Sequence, residues 1–177
     1  MGLSELRRRR VGRPVSSEAV IVDVDGTLCD VSGVRHYVLA DPQRRDYEAF
    51  HGASALCPPI PATLDWVEQH RAAGRTVFVV TARSQRWEFL TRRWMRKWGI
   101  RYDWLLMRAD GDLRKDRLVK TDILARIRAR GFEVVAAIDD NPNVIDLWQA
   151  EGIEVTVVPG WDEDASHRRT ASSLRGA

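Results

Sequence analysis

The chain has 177 residues, of which 44% are hydrophobic and 30% are charged, so it is long enough to bury one substantial core. Its longest apolar runs, such as residues 19–22 and 134–138, are far shorter than the roughly 20 residues of a membrane-spanning helix, and a membrane protein is not expected. No apolar stretch follows the basic residues 7–10 and the chain has 2 cysteines, so we expect neither a signal peptide nor a disulfide framework, and we expect a cytoplasmic location.

The basic residues are unevenly divided between arginine and lysine. The net charge is only +3, but 25 of the 28 basic residues are arginine. The planar guanidinium group suits phosphate oxygens, so phosphorylated partners are compatible with this composition. A GC-rich genome produces the same bias, so the count alone does not indicate binding.

The two ends of the chain differ from its middle. Residues 1–14 hold five arginines and no periodic apolar pattern, and residues 161–177 are polar and rich in small residues. We expect the first segment to be a disordered basic arm and the last to be a flexible tail. One folded domain is expected between them, at residues 15–160.

Short β-branched runs alternate with segments of helical period across this domain, which is typical of a parallel sheet covered by helices on both faces. We therefore expect an α/β fold, with a three-layer, Rossmann-like arrangement around a parallel five-stranded sheet in the order 5-4-1-2-3. In chain order the pattern predicts a strand at 19–23, a helix at 61–73, a strand at 76–81, a helix at 84–98, a strand at 104–107, a helix at 118–130, a strand at 134–139, a helix at 143–151 and a strand at 154–158.

One segment does not fit this alternation. Residues 30–59, between the first strand and the first helix, lack regular periodicity. A loop of that length inside a compact domain is uncommon and usually functional. We interpret it as a small cap insertion that stands over the active edge of the sheet.

Two aspartates follow the first strand, in the sequence Asp23-Val24-Asp25-Gly26-Thr27. The carboxyl edge of an open α/β sheet is where ligands bind, so both carboxylates are expected to emerge there. A buried carboxylate is costly unless it is paired or coordinated, which favours a functional role. The alternative is a pair of solvated turn residues before a glycine.

A second acidic pair, Asp139-Asp140, follows the fourth predicted strand. Taken alone it is equally compatible with the N-cap of a helix. If the first and fourth strands are neighbours, these carboxylates meet Asp23 and Asp25, and a hard divalent cation is the natural way to hold four carboxylates together. We therefore expect Mg²⁺ as the cofactor.

Two other segments could supply phosphate-binding groups. Thr81 and Arg83 follow the second strand, where a hydroxyl and a guanidinium can both donate to phosphate oxygens, although Thr81 alone is also compatible with an ordinary cap. Lys120 ends a charged segment at 112–120, of the kind that usually forms a solvated helix start. It would matter for the chemistry only if its ammonium group pointed back toward the sheet edge.

The predicted helix at 84–98 carries Trp87, Leu90, Trp94 and Trp98 at helical spacing. Aromatic residues beside basic ones could stack on bases, but a stripe of this period more often forms a core face, and we adopt that interpretation. The basic residues on its other faces remain candidates for an electrostatic track along nucleic acid: Arg86, Arg92, Arg93 and Arg96.

An Asp-x-Asp-Gly-Thr motif, a strand-end threonine, a later lysine and an Asp-Asp pair, in that order, resemble the haloacid dehalogenase superfamily of phosphotransferases. The resemblance covers residues 19–158. Gly33 and Arg35 resemble a glycine-arginine pair of one of its branches, with a spacing that is one residue longer here. That branch is the 3′-phosphatase domain of phage polynucleotide kinase-phosphatase, and the other segments that resemble it are Thr81-Ala82-Arg83, Leu106-Met107-Arg108, Gly111-Asp112, Arg114-Lys115-Asp116, Val119-Lys120, and Ile138-Asp139-Asp140 with Val144 and Trp148.

The resemblance implies a covalent mechanism. Asp23 would attack phosphorus and form an aspartyl-phosphate, which divides one difficult hydrolysis into two displacements. Asp25 would protonate the leaving hydroxyl and then deprotonate the water that breaks the intermediate. Thr81 and Lys120 would hold the phosphoryl oxygens, since phosphoryl transfer depends mainly on positioning and charge neutralisation.

The resemblance also implies a metal site and a set of substrate contacts. Mg²⁺ would lie between Asp23, the main-chain carbonyl of Asp25 and Asp140, with Asp139 close behind. Asp116 would orient Lys120. The residues expected at the substrate are Thr81, Arg83, Arg35 and Asp116.

These observations predict a Mg²⁺-dependent phosphatase that removes the 3′-phosphate from DNA or RNA ends. Two alternatives stay open, a phosphatase of free nucleotides or other small phosphate esters, and a non-enzymatic phospho-acceptor receiver module. The sequence has no Gly-x-x-x-x-Gly-Lys-Ser/Thr loop, so no kinase half is expected in it. The partners expected are a phosphorylated nucleic-acid end and a separate kinase or ligase.

Overall fold

The computed structural model describes residues 17–39 and 42–159. The predicted arm at 1–14 and the predicted tail at 161–177 lie outside these residues. None of the helices in the described ranges combines the length and the apolar character that a membrane crossing requires.

The centre of the domain is a five-stranded sheet in which every neighbouring pair of strands is parallel. The strands lie in the order β3-β2-β1-β4-β5, which is the predicted order counted from the opposite edge. The prediction of the fold is therefore confirmed. The strands are β1 (Glu18–Val22), β2 (Thr76–Ser84), β3 (Trp104–Arg108), β4 (Glu133–Asp139) and β5 (Glu154–Val157).

Six α-helices occur in the described residues, and four of them cover the two faces of the sheet. These four are the helices predicted from the sequence, and each of them ends within two residues of its predicted end. They are α1 (His36–Leu39), α2 (Tyr47–Ser54), α3 (Pro61–Ala72), α4 (Glu88–Lys97), α5 (Asp116–Ala129) and α6 (Pro142–Ala150).

Successive residues of β1 supply two separate cores because side chains alternate across a strand. Val20 and Val22 pack with Trp94 of α4 and with side chains of α3. Ile21 points to the other face and packs with Trp148 of α6 and with α5. Full burial of one such aliphatic side chain is worth roughly 1.5–3 kcal/mol, so the central strand is a major source of stability.

The start of α4 differs from the prediction. Strand β2 continues to Ser84, which pairs with Arg108 of β3, and a 3-10 helix at Gln85–Trp87 then leads into α4. Ser84 has the extended backbone conformation, so it belongs to the strand although its sequence neighbours suggested a helix. The active edge of the sheet is therefore longer at β2 than expected.

The segment at 30–59 contains more regular structure than its sequence pattern indicated. Helices α1 and α2 lie here, together with 3-10 helices at Ser32–Val34 and Pro42–Arg44. Asp46 caps α2, since its side chain accepts a hydrogen bond from the backbone of Ala49 at 2.9 Å. Helices of four and eight residues are too short to leave a clear apolar period, which explains why the sequence of 30–59 lacks regular periodicity.

Candidate active site

The first acidic pair lies where β1 gives way to a tight loop. The backbone N–H of Asp23 still donates to Ile138 of β4, at 3.2 Å, so this carboxylate is fixed at the end of the sheet. Asp25 follows two residues later, and Gly26 has a φ of 86°, a conformation that only glycine adopts without strain. The Asp-x-Asp-Gly spacing therefore corresponds to a strand end followed by a reversal of the chain.

The second acidic pair ends the neighbouring strand β4. Asp139 is completely buried, and both of its carboxylate oxygens accept hydrogen bonds. One oxygen accepts from the backbone of Asn141 at 3.1 Å, and the other from the indole Nε1 of Trp148 at 3.2 Å and from Lys120. Both carboxylate oxygens of Asp139 thus have hydrogen-bond partners.

Lys120 points from α5 into the space between the two strand ends. Its Nζ donates to Oδ1 of Asp23 at 2.7 Å and to Oδ2 of Asp139 at 2.8 Å, and the residue is only 2% exposed. Burial alone would lower the pKa of Lys120, but the two carboxylates outweigh it and raise the pKa above its usual value. The ammonium group is therefore held in its charged form at the sheet edge.

Asp140 retains acceptor capacity that its neighbour lacks. Its Oδ1 accepts from the hydroxyl of Thr27 at 3.1 Å, whereas its Oδ2 is buried and has no hydrogen-bond partner among the described residues. Burial first, and then the charge of Asp139, raise the pKa of Asp140 to about 7. A buried carboxylate oxygen without a hydrogen-bond partner is a suitable ligand for a metal ion.

Three carboxylates share this volume with one ammonium group. Asp23, Asp139 and Asp140 each offer an oxygen, and these oxygens lie within 4.8 Å of one another. Burial is the largest cause that raises the pKa of Asp23, Lys120 acts against it, and the charges of the other two carboxylates add to it. Because two negative charges remain in excess when all three carboxylates are ionised, the residues fit a divalent cation.

Arg83 forms a buried ion pair with the second aspartate of the motif. Its Nε and Nη2 donate to the two carboxylate oxygens of Asp25 at 2.8 Å and 2.5 Å. Burial alone would raise the pKa of Asp25, but the charge and the hydrogen bonds of Arg83 outweigh it and hold the pKa below its ordinary value. Asp25 is therefore a carboxylate in this state.

The Arg83 side chain is itself held on both sides. Its Nη1 donates to the Thr91 hydroxyl of α4 at 3.2 Å, and its Nη2 donates to the Ser54 hydroxyl of α2 at 3.0 Å. Ser54 in turn donates to the backbone oxygen of His51 at 2.9 Å. Ser54, Thr91 and His51 could not be predicted from the sequence, because single polar residues inside an irregular segment or a helix belong to no motif.

The structure brings the predicted residues together to different degrees. Thr81 is buried beside this cluster, and its Oγ1 accepts from the backbone of Arg83 at 3.2 Å. Asp116 accepts a hydrogen bond from Arg108 at 2.6 Å, while Lys120 bonds Asp23 and Asp139, and an orienting effect of Asp116 on Lys120 stays a prediction. Arg35 lies half-buried after the 3-10 helix; hydrogen bonds from Ser32 lower the pKa of the nearby Asp30, and the charge of Arg35 acts weakly in the same direction.

The fold and this site define the class of protein. Structural matches include a class C acid phosphatase from Bacillus anthracis with tungstate bound, with 11% identity, a TM-score of 0.56 and coverage of 90% of this chain and 80% of that one, which shows the fold. The chain is a haloacid dehalogenase-type phosphatase, a phosphoric monoester hydrolase. Residues 17–160 match the polynucleotide kinase PNKP phosphatase domain, and the chain belongs to that family.

Two larger structures also resemble the chain. The Pnkp1/Rnl/Hen1 RNA repair complex contains a chain with 25% identity and a TM-score of 0.68, and the match covers 82% of this chain and 43% of that one. A second structure of the Pnkp1/Rnl/Hen1 complex matches with 23% identity, a TM-score of 0.67 and coverage of 85% and 50%. The present chain therefore spans half or less of the length of these two proteins.

Proposed function

We propose that the protein is a Mg²⁺-dependent phosphatase that removes the 3′-phosphate from DNA or RNA ends through an aspartyl-phosphate. The observation that carries the proposal is the buried cluster in which Asp23 shares Lys120 with Asp139 beside the orphaned oxygen of Asp140. Membership of the polynucleotide kinase PNKP phosphatase family supports the choice of substrate.

The two residues of the second acidic pair have different roles in this proposal. Asp140, Asp23 and the main-chain carbonyl of Asp25 would hold Mg²⁺, because Asp140 has a buried oxygen without a partner. Asp139 would instead fix Lys120, since hydrogen bonds occupy both of its oxygens. A bound Mg²⁺ would neutralise charge on the phosphoryl group, the contribution that hard divalent cations make in phosphoryl transfer.

Asp23 is the nucleophile of the proposed reaction. One of its carboxylate oxygens forms a bond to phosphorus while the bond between phosphorus and the 3′ oxygen breaks. Lys120, 2.7 Å from Asp23, is placed to neutralise the attacking carboxylate and an equatorial phosphoryl oxygen. The hydroxyl group of Thr81, buried on the neighbouring strand, donates a hydrogen bond to a phosphoryl oxygen.

Asp25 moves the protons. As a carboxylate paired with Arg83 it is in the form that removes a proton from water in the second displacement. To protonate the leaving 3′ oxygen in the first displacement, Asp25 must carry a proton. The ion pair between Arg83 and Asp25 therefore has to weaken when substrate binds. A substrate phosphate that competes for the guanidinium would produce that change, and this is the substrate contact we propose for Arg83.

The partners follow from the same comparison. One similar structure is an RNA repair complex of several proteins, and we propose that a separate kinase or ligase works on the same ends. The substrate contacts of Asp116 and Arg35, the cap role of residues 30–59 and the extent of the domain at 15–160 are also proposals. Cys29 and Cys57 are free thiols, in keeping with a cytoplasmic location.

The proposed substrate is tested by phosphate release from matched oligonucleotides of one sequence. The set contains a 3′-phosphorylated DNA, a 3′-phosphorylated RNA, a 5′-phosphorylated DNA and a nucleoside 3′-monophosphate, each with Mg²⁺ and with a chelator. We expect a higher kcat/KM for a 3′-phosphorylated oligomer than for the mononucleotide, and loss of activity with the chelator. Equal kcat/KM for the mononucleotide would favour a phosphatase of small esters instead.

A further inference from the structure

The exposed face of α4 carries one aromatic and two basic side chains in a line. Phe89, Arg93 and Arg96 have the spacing i, i+4 and i+7, so they share one face of the helix. All three are exposed, and Phe89 is exposed to 72%. We call these three residues the α4 stripe.

The rest of α4 explains why this stripe is separate from the core. Trp94 and Met95 point toward the sheet, and Trp94 is only 2% exposed. The predicted core face of the helix is thus centred on Trp94, and Phe89 adds nothing to it. A single exposed phenylalanine is unremarkable on any surface, so its meaning depends on the charges beside it.

Ion pairs distinguish among the four arginines that the sequence offered for a nucleic-acid track. Arg86 bonds Glu48 at 2.7 Å, and Arg92 bonds Glu88 at 2.7 Å. The two arginines of the α4 stripe form no ion pair within the described part of the chain. Their charges are therefore available to an anionic partner.

The helix that carries the α4 stripe contacts the active site, since Thr91 accepts a hydrogen bond from Arg83. Strand β2 carries Thr81 into the site and ends at Ser84, and the turn at Gln85–Trp87 connects it to α4. Phe89 lies in the first turn of the helix, and Arg96 lies about 10 Å further along the axis. A strand whose end is in the site can therefore follow this face.

We propose that the α4 stripe binds the single-stranded segment that leads to the 3′-phosphate. Phe89 stacks on a base near the phosphorylated end, and Arg93 and Arg96 contact successive backbone phosphates. Aromatic stacking combined with a basic path is how proteins bind single strands without reading their sequence. The inference rests on the proposed function and adds to it a polymer-binding surface outside the reaction centre.

The test compares a long and a short substrate in wild-type protein and three variants. The substrates are a 3′-phosphorylated decamer and a 3′-phosphorylated dinucleotide of the same terminal sequence, and the readout is the ratio of their kcat/KM values over a range of salt concentrations. The variants are Phe89→Ala, the double substitution Arg93→Gln/Arg96→Gln, and Arg126→Gln as the control. Arg126 is exposed on α5, on the opposite side of the sheet, and forms no ion pair within the described part of the chain.

We expect wild type to prefer the decamer and Phe89→Ala to lower that preference about tenfold, in the range expected for the loss of one stacked base. The double variant should reduce the slope of log kcat/KM against log salt for the decamer by about 1.4, since each contact to a single-strand phosphate contributes about 0.7. Arg126→Gln should leave the ratio and the slope at their wild-type values. Thermal melting of every variant verifies that it is folded.

Each other result overturns the inference in a distinguishable way. If wild type prefers the decamer but the α4 variants match Arg126→Gln, the strand follows another surface and the proposed function stands. If wild type does not prefer the decamer to the dinucleotide, there is no polymer-binding surface and the inference fails alone, because the proposed function is decided separately by the comparison of oligonucleotide with mononucleotide. If Phe89→Ala changes the oligomeric state in solution but not the length preference, the face serves protein association instead.

Discussion

At the scale of single residues, the main feature of the site is that two buried cationic side chains pair with three buried or half-buried carboxylates. Lys120 serves two buried carboxylates, and Arg83 serves a third. Buried ion pairs of this kind are expensive to form and more expensive to break, because removal of one partner leaves an uncompensated charge. The chemistry and the stability of the site therefore depend on the same few side chains.

Replacement of Lys120 tests this dependence. Lys120→Met leaves Asp23 and Asp139 without their shared cation, and we expect the free energy of unfolding to fall by about 3–5 kcal/mol in the absence of added metal. Urea denaturation measures the change. Lys97→Met, at an exposed position over the ring of Trp98, is the matched control and should change stability by less than about 0.5 kcal/mol. A similar loss in both variants would contradict the assigned pairing.

The two residues of the second acidic pair give a sharper comparison. Asp140→Asn alters the carboxylate that has an unpartnered oxygen, so the Mg²⁺ concentration for half-maximal phosphate release should rise tenfold or more, a change of about 1.4 kcal/mol or more. Asp139→Asn should act mainly on stability, because that carboxylate accepts from Lys120, Trp148 and Asn141. Activity measured across a Mg²⁺ titration separates the two variants. An equal shift in both would assign the metal to the pair jointly.

The strand-end acids could be predicted because a carboxylate after a buried strand has few structural explanations. The different environments of Asp139 and Asp140 could not be predicted, since they depend on which carboxylate accepts from Thr27 and which accepts from Lys120. The hydrogen bond between Arg83 and Asp25 could not be predicted either, because it joins side chains 58 positions apart in the sequence. No motif spacing indicates such a contact.

At the scale of secondary-structure elements, α2 is the part that sequence patterns described least well. It is eight residues long, and its apolar anchor is Phe50, which packs with Val38 in the core beneath the segment. At its end, Ser54 accepts a hydrogen bond from Arg83 and so links the segment to the ion pair of Arg83 and Asp25. The position of α2 is thus fixed by tertiary contacts and not by a local period.

His51 on α2 provides a pH-dependent test of this packing. Burial lowers the pKa of His51 to about 4, with Arg83 and Arg86 acting in the same direction and Asp25 acting against it. The unfolded chain binds a proton near pH 6.5 and the folded chain does not, so this histidine costs stability as the pH falls from about 6.5 to 4. The full difference is about 3 kcal/mol.

Urea denaturation of wild type and His51→Gln between pH 7 and pH 4 measures the contribution of His51. We expect the stability of wild type relative to the variant to decrease over this interval. His36→Gln, at an exposed position on α1, is the control and should follow wild type. Parallel curves for wild type and His51→Gln would show that the ring is not buried as described.

At the scale of the whole molecule, the topology explains how distant motifs form one site. Strands β1 and β4 are neighbours, so the carboxylates at positions 23 and 140 meet although 116 residues separate them along the chain. The sheet was predictable because its strands are short apolar runs between helical segments. The α4 stripe was only partly predictable, because the sequence did not reveal which arginines are paired or that Phe89 lies outside the core.

The central chemical claim is that Asp23 becomes phosphorylated, and peptide mass spectrometry after an acid quench tests it most directly. Asp25→Asn, in which the second displacement is slowed, is incubated with a 3′-phosphorylated oligonucleotide and Mg²⁺, and Asp23→Asn serves as the control. We expect phosphate on Asp23 in the first variant, no phosphate in the control, and no turnover by the control. Phosphate on another residue, or phosphate release by Asp23→Asn at even about a tenth of the wild-type rate, a loss of only about 1.4 kcal/mol in the barrier, would contradict it.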